Sequence, residues 1–358
     1  MNAPVLIAAG GTGGHVFPAL AVAAELRNRG VPVVWLGTRA GLEARVVPQA
    51  GIEIEWLEIG GLRGKGWRTR LLAPFALLRA GAQAWRILRR RRPRALLGMG
   101  GFVAGPGGAV ARVRRLPLVI HEQNAIAGLT NRLLARWAQC VLEAMPGTFP
   151  PARGARAVGN PVRAEIAALA HPAQRFGGRT GPPRLLVLGG SQGARALNER
   201  LAPALAALPP GQRPEVRHQC GSRHVEATAA AYRASGYDAQ VEPFIDDMAG
   251  AYGWADLVIG RAGAMSVWEL AAAGVGALLV PFPHAVDDHQ TVNARWLAQA
   301  GAAVVVQEAE LDSERLAREL GALLGDRVAL AARAERAREL AQPQAAVTVA
   351  DAVMEVAR

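Results

Sequence analysis

Val5-Leu6-Ile7-Ala8-Ala9-Gly10-Gly11-Thr12-Gly13-Gly14-His15, an apolar run ending in glycines, is answered by Leu185-Leu186-Val187-Leu188-Gly189-Gly190-Ser191-Gln192-Gly193-Ala194, whose first glycine follows Gly10 by 179 residues. That interval is half of the 358-residue chain. Each stretch reads as strand, glycine turn, helix. A short unbroken apolar run suits a strand buried on both faces. Glycine lets the backbone approach a ligand closely, and a helix N-terminus presents unbonded N–H groups and positive potential. Together they suit an anionic group such as phosphate. The repeat therefore predicts two related α/β modules, each holding part of a phosphorylated ligand.

Outward from the first turn, a helix is expected over about Gly14 to Arg29, closed by Gly30. Strands are expected at Val33–Leu36, Ile52–Leu57, Leu96–Gly98, Leu118–His121 and Cys140–Glu143. Between Asn160 and Pro183 the composition shifts to Pro, Gly, Arg and Ala, and then the alternation restarts. Further strands are expected at Val216–Gln219, Ala239–Val241, Leu257–Ile259, Ala277–Val280 and Ala303–Val305, with helix from Leu311 onward. Alternating strand and helix implies doubly wound parallel sheets with helices on both faces. The expected division is 1–160 and 161–342, with a last helix, about 343–358, packing back on the first domain.

A hydrophobic content of 51% is ample for two cores. Cys140 and Cys220 are too few for a disulfide framework and read as buried free thiols in a reducing cytoplasm. No basic region precedes the first apolar run, so it does not read as a signal peptide. No uncharged apolar run reaches the ~18 residues of a spanning helix.

The net charge of +12 is concentrated: Ile59 to His121 holds 14 basic side chains and no acidic one. Such clustering calls for an anionic partner. Leu71-Leu72-Ala73-Pro74-Phe75 opens a helical stretch that ends near Arg92. On it, Phe75, Leu78, Ala82 and Trp85 share one stripe, and Arg79, Arg86 and Arg90 share an adjoining one. Such a helix can lie in an anionic membrane surface, or it can bury the apolar stripe in a core. No helix-turn-helix, RNA-recognition or zinc pattern supports nucleic acid as the partner. The glycine-rich segment Gly60–Gly66 is expected to close over an acceptor.

A dinucleotide site needs a carboxylate at the end of the second strand, where this chain reads Leu36-Gly37-Thr38-Arg39, so a nicotinamide oxidoreductase is disfavoured. The lone lysine, Lys65, is far from either turn, so there is no phosphate-loop lysine. A third glycine set, Gly98-Met99-Gly100-Gly101-Phe102, follows another strand of the first half and is expected beside the first turn, where the two could clamp a diphosphate.

Five motifs in order, Gly10 to His15 (GGTGGH), His121 to Arg132 (HEQNAIAGLTNR), Gly159 to Arg163 (GNPVR), Gly189 to Ala194 (GGSQGA) and Arg261 to Gly274 (RAGAMSVWELAAAG), resemble the MurG family of bacterial N-acetylglucosaminyltransferases over nearly the whole chain. The resemblance implies a GT-B fold, two Rossmann-like domains with an interdomain cleft. It also implies an inverting transfer of N-acetylglucosamine (GlcNAc) from UDP-GlcNAc to the C4 hydroxyl of the muramoyl sugar of lipid I. The product would be lipid II, for peptidoglycan synthesis, cell shape and division. The protein would sit peripherally on the cytoplasmic face of the inner membrane, with other wall-synthesis and division proteins as candidate partners.

On the donor side the resemblance points to Ser191, Gln192 and Gly193 for a phosphate and to Glu269 for the ribose diol. Phe244 and Ile245 would read uracil through their backbone, with Met248 covering the nucleoside. Backbone of Ala264, Met265, Ser266, Val267, Trp268 and Glu269 would complete the site. Asn124, His289 and Gln290 would meet sugar hydroxyls, and Arg163 would lie near the donor. On the acceptor side, Gly13, Gly14, Gly101 and Phe102 would hold the diphosphate, with Thr12 also binding substrate. Two positions depart from the family pattern: His289 stands where a glutamine is usual, and Phe102 where a tyrosine is usual.

Transfer requires a base for the acceptor hydroxyl. His15 is the first candidate, with diphosphate binding as its alternative role, and Glu122 is the second. His284, Asp287 and Asp288 read as a solvated loop. With no Asp-x-Asp and no metal-ligand spacing, no metal cofactor is expected. The competing readings are another GT-B lipid glycosyltransferase, a sugar-nucleotide epimerase and a basic binding protein without catalysis.

Overall fold

The computed structural model describes residues 3–60, 67–190 and 193–358, with the backbone alone for 67–72. Residues 61–66 of the expected acceptor loop, Ser191, Gln192 and the side chain of Leu71 lie outside the described residues. The chain divides into two compact units, Met1–Arg163 with Gln342–Arg358, and Ala164–Ala341.

In the first unit, strands β1 (Val5–Ala8), β2 (Val33–Gly37), β3 (Glu53–Trp56), β4 (Ala95–Gly98), β5 (Leu118–Glu122), β6 (Cys140–Glu143) and β7 (Arg156–Ala157) form one sheet in the order β3-β2-β1-β4-β5-β6-β7. Every pairing in it is parallel. The connecting helices are α1 (Gly13–Asn28), α2 (Glu43–Gln49), α3 (Trp67–Arg91), α4 (Gly101–Val113) and α5 (Leu129–Leu134). Alternation along β1 explains the two-sided core: Val5 and Ile7 join the cluster with Ala19, Val22 and Leu26 of α1, while Leu6 and Ala8 join that with Ala84, Leu88 and Ala104. The two residues of β7 are exposed and carry no apolar signal in the sequence, so this strand is not among those expected.

The second unit begins with two short helices, α6 (Ala164–Ala167) and α7 (Pro172–Phe176). Its strands are β8 (Arg184–Leu188), β9 (Glu215–Gln219), β10 (Gln240–Glu242), β11 (Leu257–Gly260), β12 (Gly276–Leu279) and β13 (Ala303–Val305). All pair in parallel, in the order β10-β9-β8-β11-β12-β13. Helices α8 (Arg195–Ala206), α9 (Val225–Ala234), α10 (Met248–Trp254), α11 (Ala264–Ala273), α12 (His289–Gln299), α13 (Ser313–Leu324) and α14 (Arg327–Glu339) complete it. The final helix, α15 (Ala345–Val356), returns to the first unit. There Val349, Ala350, Ala352 and Val353 enter the same cluster as Val5 and Ile7, and Arg29, just past the end of α1, donates to Asp351 at 2.5 Å.

Helix α3 separates the two readings of its apolar stripe. Its core side is Ala80, Ala84, Ile87 and Leu88, all buried. The stripe faces outward, with Phe75 71%, Leu78 72% and Trp85 41% exposed. The charge reading needs correction. Arg79 pairs with Glu58, Arg90 with Glu55, and Arg91 with both Glu53 and Glu55. The acid-free segment thus borrows carboxylates from the strand region just before it. Both cysteines are free, but Cys140 is only partly buried, its sulfur accepting from Arg156 at 3.1 Å. No helix among the described residues is long and apolar enough to cross a membrane.

One buried histidine in each unit makes stability depend on pH. Burial lowers His121 in the first unit and His218 in the second from the usual 6.5 to about 4. Between those values the unfolded chain binds protons on these imidazoles and the folded chain does not, so stability falls as pH drops through that window. Each imidazole contributes on the order of 3 kcal/mol by the bottom of it. Thermal melting at pH 7 and pH 5 should show a clear loss at the lower value; equal melting temperatures would contradict this.

Candidate active site

In open α/β sheets, ligands bind beyond the carboxyl ends of the strands where the strand order reverses. In the first unit that point lies between β1 and β4. The loops leaving these strands are the first and third glycine sets, and they touch. Gly101 has φ +74°, and a Cβ there would sit 2.6 Å from the carbonyl oxygen of Gly10. Gly100 has φ +89°, and its Cβ would sit 2.8 Å from the His15 ring. Side chains at these two positions would force the loops apart. Helices α1 and α4 start at Gly13 and Gly101, so two helix N-termini open at the same switch point.

His15 is half-buried over Gly100, with Nδ1 3.4 Å from the Thr12 hydroxyl. Its Nε2 and the side-chain amide of Asn131 approach the same side of Gly100. Phe102 borders Gly11. Glu122, 2% exposed, ends β5 and anchors the loop that follows. Its Oε1 accepts from the backbone N–H groups of Gln123 and Asn124 and from the Asn124 side chain, each at 3.1 Å. Its Oε2 accepts from Gly128 N–H and the Asn131 amide, each at 3.0 Å. Five donors thus serve one carboxylate. His121 is fully buried: Nε2–H donates to Gly159 O at 2.9 Å, and Nδ1 accepts from Gln123 at 3.1 Å. This ties β5 to the Gly159–Arg163 motif. Arg163 itself ends the first unit, its guanidinium 5.5 Å from the centre of the Phe17 ring.

In the second unit the reversal lies between β8 and β11. The second glycine turn leaves β8 and is clasped by Gln219 at the end of β9. Its Oε1 accepts from Gly190 N–H and its Nε2 donates to Gly190 O, both at 3.0 Å. From β11 the chain enters α11 through Gly263. Val267 and Trp268 point into the core, Trp268 stacking 4.5 Å from Trp296, so only their backbone is left to meet a ligand. Glu269 is 6% exposed, and its Oε2 accepts from the Tyr252 hydroxyl at 3.2 Å. Arg261 is fixed by the carbonyls of Val280 and Pro281 and by an ion pair with Glu308.

After β12, Gln290 Oε1 accepts from Phe282 N–H at 3.0 Å and His289 Nδ1 donates to Val286 O at 2.7 Å. Asp287 and Asp288 just before them have φ of +55° and +50°, uncommon for residues other than glycine and a sign of local strain. Phe244 is exposed, Ile245 buried and Met248 half-buried at the start of α10. The donor-side residues other than Asn124 and Arg163 thus belong to the second unit. Those two join His15, Glu122 and the acceptor-side residues in the first. Among the described residues no three His, Cys, Asp or Glu side chains gather as a metal site.

The Glycosyltransferase family 28 N-terminal domain matches residues 5–143, and its C-terminal domain matches residues 184–349. A relative from Alkalilimnicola ehrlichii is 58% identical over 358 residues, all of both chains, and one from Nitrosococcus oceani is 59% identical over 99% of this chain and 98% of its own. Both are named UDP-N-acetylglucosamine–N-acetylmuramyl-(pentapeptide) pyrophosphoryl-undecaprenol N-acetylglucosamine transferase. The chain belongs to the MurG family. The crystal structure of Acinetobacter baumannii MurG is 43% identical, with TM-score 0.84, over 99% of this chain and 100% of that one. The glycosyltransferase of kitacinnamycin, 17% identical over the full length of both chains with TM-score 0.75, shares the GT-B fold.

Asn131 stands inside the His121–Arg132 motif, whereas Gln219 and Tyr252 are isolated polar residues that carry no spacing signal in the sequence.

Proposed function

We propose that this chain transfers GlcNAc from UDP-GlcNAc to the C4 hydroxyl of the muramoyl sugar of lipid I, inverting the anomeric centre and releasing UDP. The observation that carries this is full-length identity of 58% to a transferase named for that donor and acceptor. In this reading Glu269, oriented by Tyr252, accepts the ribose hydroxyls. Backbone at Phe244 and Ile245 reads uracil, and Met248 covers it. The second glycine turn and the start of α11 take the charge that grows on the leaving diphosphate. Gln290, whose Oε1 is already engaged, offers its amide N–H to the sugar. His289, whose Nδ1–H is engaged, offers Nε2.

On the other half-site, the N-termini of α1 and α4 hold the acceptor diphosphate. The acceptor oxygen bonds to the anomeric carbon as the bond from that carbon to the UDP oxygen breaks, and the electron pair leaves with UDP. His15 takes the hydroxyl proton on a neutral imidazole; a competing role as diphosphate ligand is separated by the kinetics below. Glu122, with five donors on its oxygens, is assigned to holding the loop. No metal takes part in this scheme. Labelled UDP-GlcNAc and a lipid I analogue test the reading: product carrying the label supports it, and folded protein that transfers none overturns it. UDP-N-acetylmannosamine as the product would identify an epimerase instead.

Membrane association is part of the same proposal. Val113 of α4 and Leu129 and Leu133 of α5 are exposed as well, α4 packs against both α3 and α5, and the Arg114 guanidinium lies 4.9 Å from the centre of the Trp85 ring. Exposed aromatic and aliphatic groups rimmed by arginine suit the headgroup region of an anionic leaflet. Because Arg79 and Arg90 are paired, with Arg86 also exposed on α3, the apolar groups are the sharper test. Changing Phe75, Leu78 and Trp85 together to serine should reduce sedimentation with phosphatidylglycerol vesicles at least tenfold, with activity on a soluble acceptor kept. Unchanged sedimentation would remove support for this face.

A further inference from the structure

Beneath the first glycine turn lies a carboxylate with no place in the scheme above. Glu43, the first residue of α2, is fully buried. Its Oε1 accepts from the backbone N–H of Thr38 at 2.9 Å and from the Thr38 hydroxyl at 2.8 Å. Its Oε2 accepts from Gly11 N–H at 3.0 Å. One side chain therefore joins the loop after β2 to the turn after β1. A buried carboxylate is tolerated when donors surround it, and charge-assisted bonds of this kind are among the stronger ones.

Three glycines leave room for that side chain. A Cβ at Gly10 would fall 2.6 Å from Glu43 Oε1, and one at Gly37 would fall 2.8 Å from its Cγ. A Cβ at Gly41 would overlap the carboxylate itself. The three lie on separate loops or strand ends around one group. Their common neighbour is the acid, so part of the glycine pattern serves Glu43 and not a ligand. Gly11 N–H is likewise committed to Glu43, which leaves the anion to the amides that follow it at the head of α1.

We propose that Glu43 is a positioning residue: it fixes the first glycine turn in the shape that receives the acceptor diphosphate. The inference rests on the acceptor assignment of that turn made above. All three partners of Glu43 are donors. Glutamine, with an amide at one end, must set an N–H group against either Thr38 or Gly11. Glutamate is thus required at this position, beyond a side chain of its size.

The test is steady-state kinetics on the full chain with UDP-GlcNAc and a lipid I analogue, with melting followed in parallel. Glu43→Gln should raise the acceptor KM about tenfold or more, with donor KM within twofold of wild type. Gly41→Ala, whose own loop meets no ligand in this scheme, should act in the same direction by displacing the carboxylate, and should serve if Glu43→Gln does not fold. The double variant should be no worse than the poorer single one, because both remove the same interaction. Wild-type acceptor KM in either folded variant overturns the proposal. So does a parallel rise of both KM values, which marks a general loss of structure. Gly13→Ala, within the turn, separates the two claims. If it raises acceptor KM and Glu43→Gln does not, the role of Glu43 falls alone. If it leaves acceptor KM unchanged, the acceptor assignment of the turn falls, and this inference with it.

Discussion

His15→Ala should lower kcat by about 10²–10⁴-fold with donor KM within about twofold, the range that general-base catalysis supplies. The imidazole sits at the meeting of two glycine loops, held over Gly100 and near the Thr12 hydroxyl. The competing role has a different signature. A diphosphate ligand would act on acceptor binding, so its loss would appear mainly in acceptor KM. His15→Gln sharpens the contrast, because glutamine can still donate to phosphate but cannot accept a proton at neutral pH. A kcat loss shared by alanine and glutamine supports the base; glutamine rescue supports the phosphate ligand; wild-type kinetics in both would remove His15 from the mechanism.

The second large effect is expected at Glu269. Two charge-assisted hydrogen bonds to a ribose diol are worth roughly 1.5–3 kcal/mol each, so Glu269→Ala should raise donor KM about 10²-fold or more. Melting followed in parallel separates this effect from the loss of the bond that the carboxylate accepts from the Tyr252 hydroxyl. Tyr252→Phe keeps the acid but removes one bond to it, and should give a rise of only about three- to tenfold. The wild type should discriminate strongly against 2′-deoxyribose in the donor, and Glu269→Ala should not. A wild-type donor KM in Glu269→Ala would refute the ribose role.

Much of the fold is legible because parallel strands buried on both faces appear as unbroken apolar runs. Val5–Ala8 and Leu257–Gly260 show this directly. The orientation of α3 was not legible. Ala80, Ala84, Ile87 and Leu88 form as regular a stripe as Phe75, Leu78 and Trp85, and periodicity cannot say which one a sheet will cover. The cations of α3 misled in a related way, since the carboxylates that answer them, Glu53, Glu55 and Glu58, precede the counted segment.

At the site, the glycine turns announce themselves because several residues act together in one short stretch. What holds the turns does not. Glu43 comes from beyond β2 to the turn after β1, and Gln219 comes from the end of β9 to the turn after β8. Each is one polar residue acting across a strand pairing that the sequence does not spell out. Seen together, the two turns have the same kind of support: a buried polar side chain from the neighbouring strand or from the helix that follows it, accepting a glycine N–H.

Helix α15 carries a consequence for how the protein is made. Val349, Ala350, Ala352 and Val353 fill the face of the first sheet that also buries Val22 and Leu26. The whole second unit, Ala164–Ala341, is translated between that sheet and the helix that covers it. On the ribosome, the second unit can complete its core while the first still shows an open apolar flank. The core of the first unit therefore closes only after the last helix has been made.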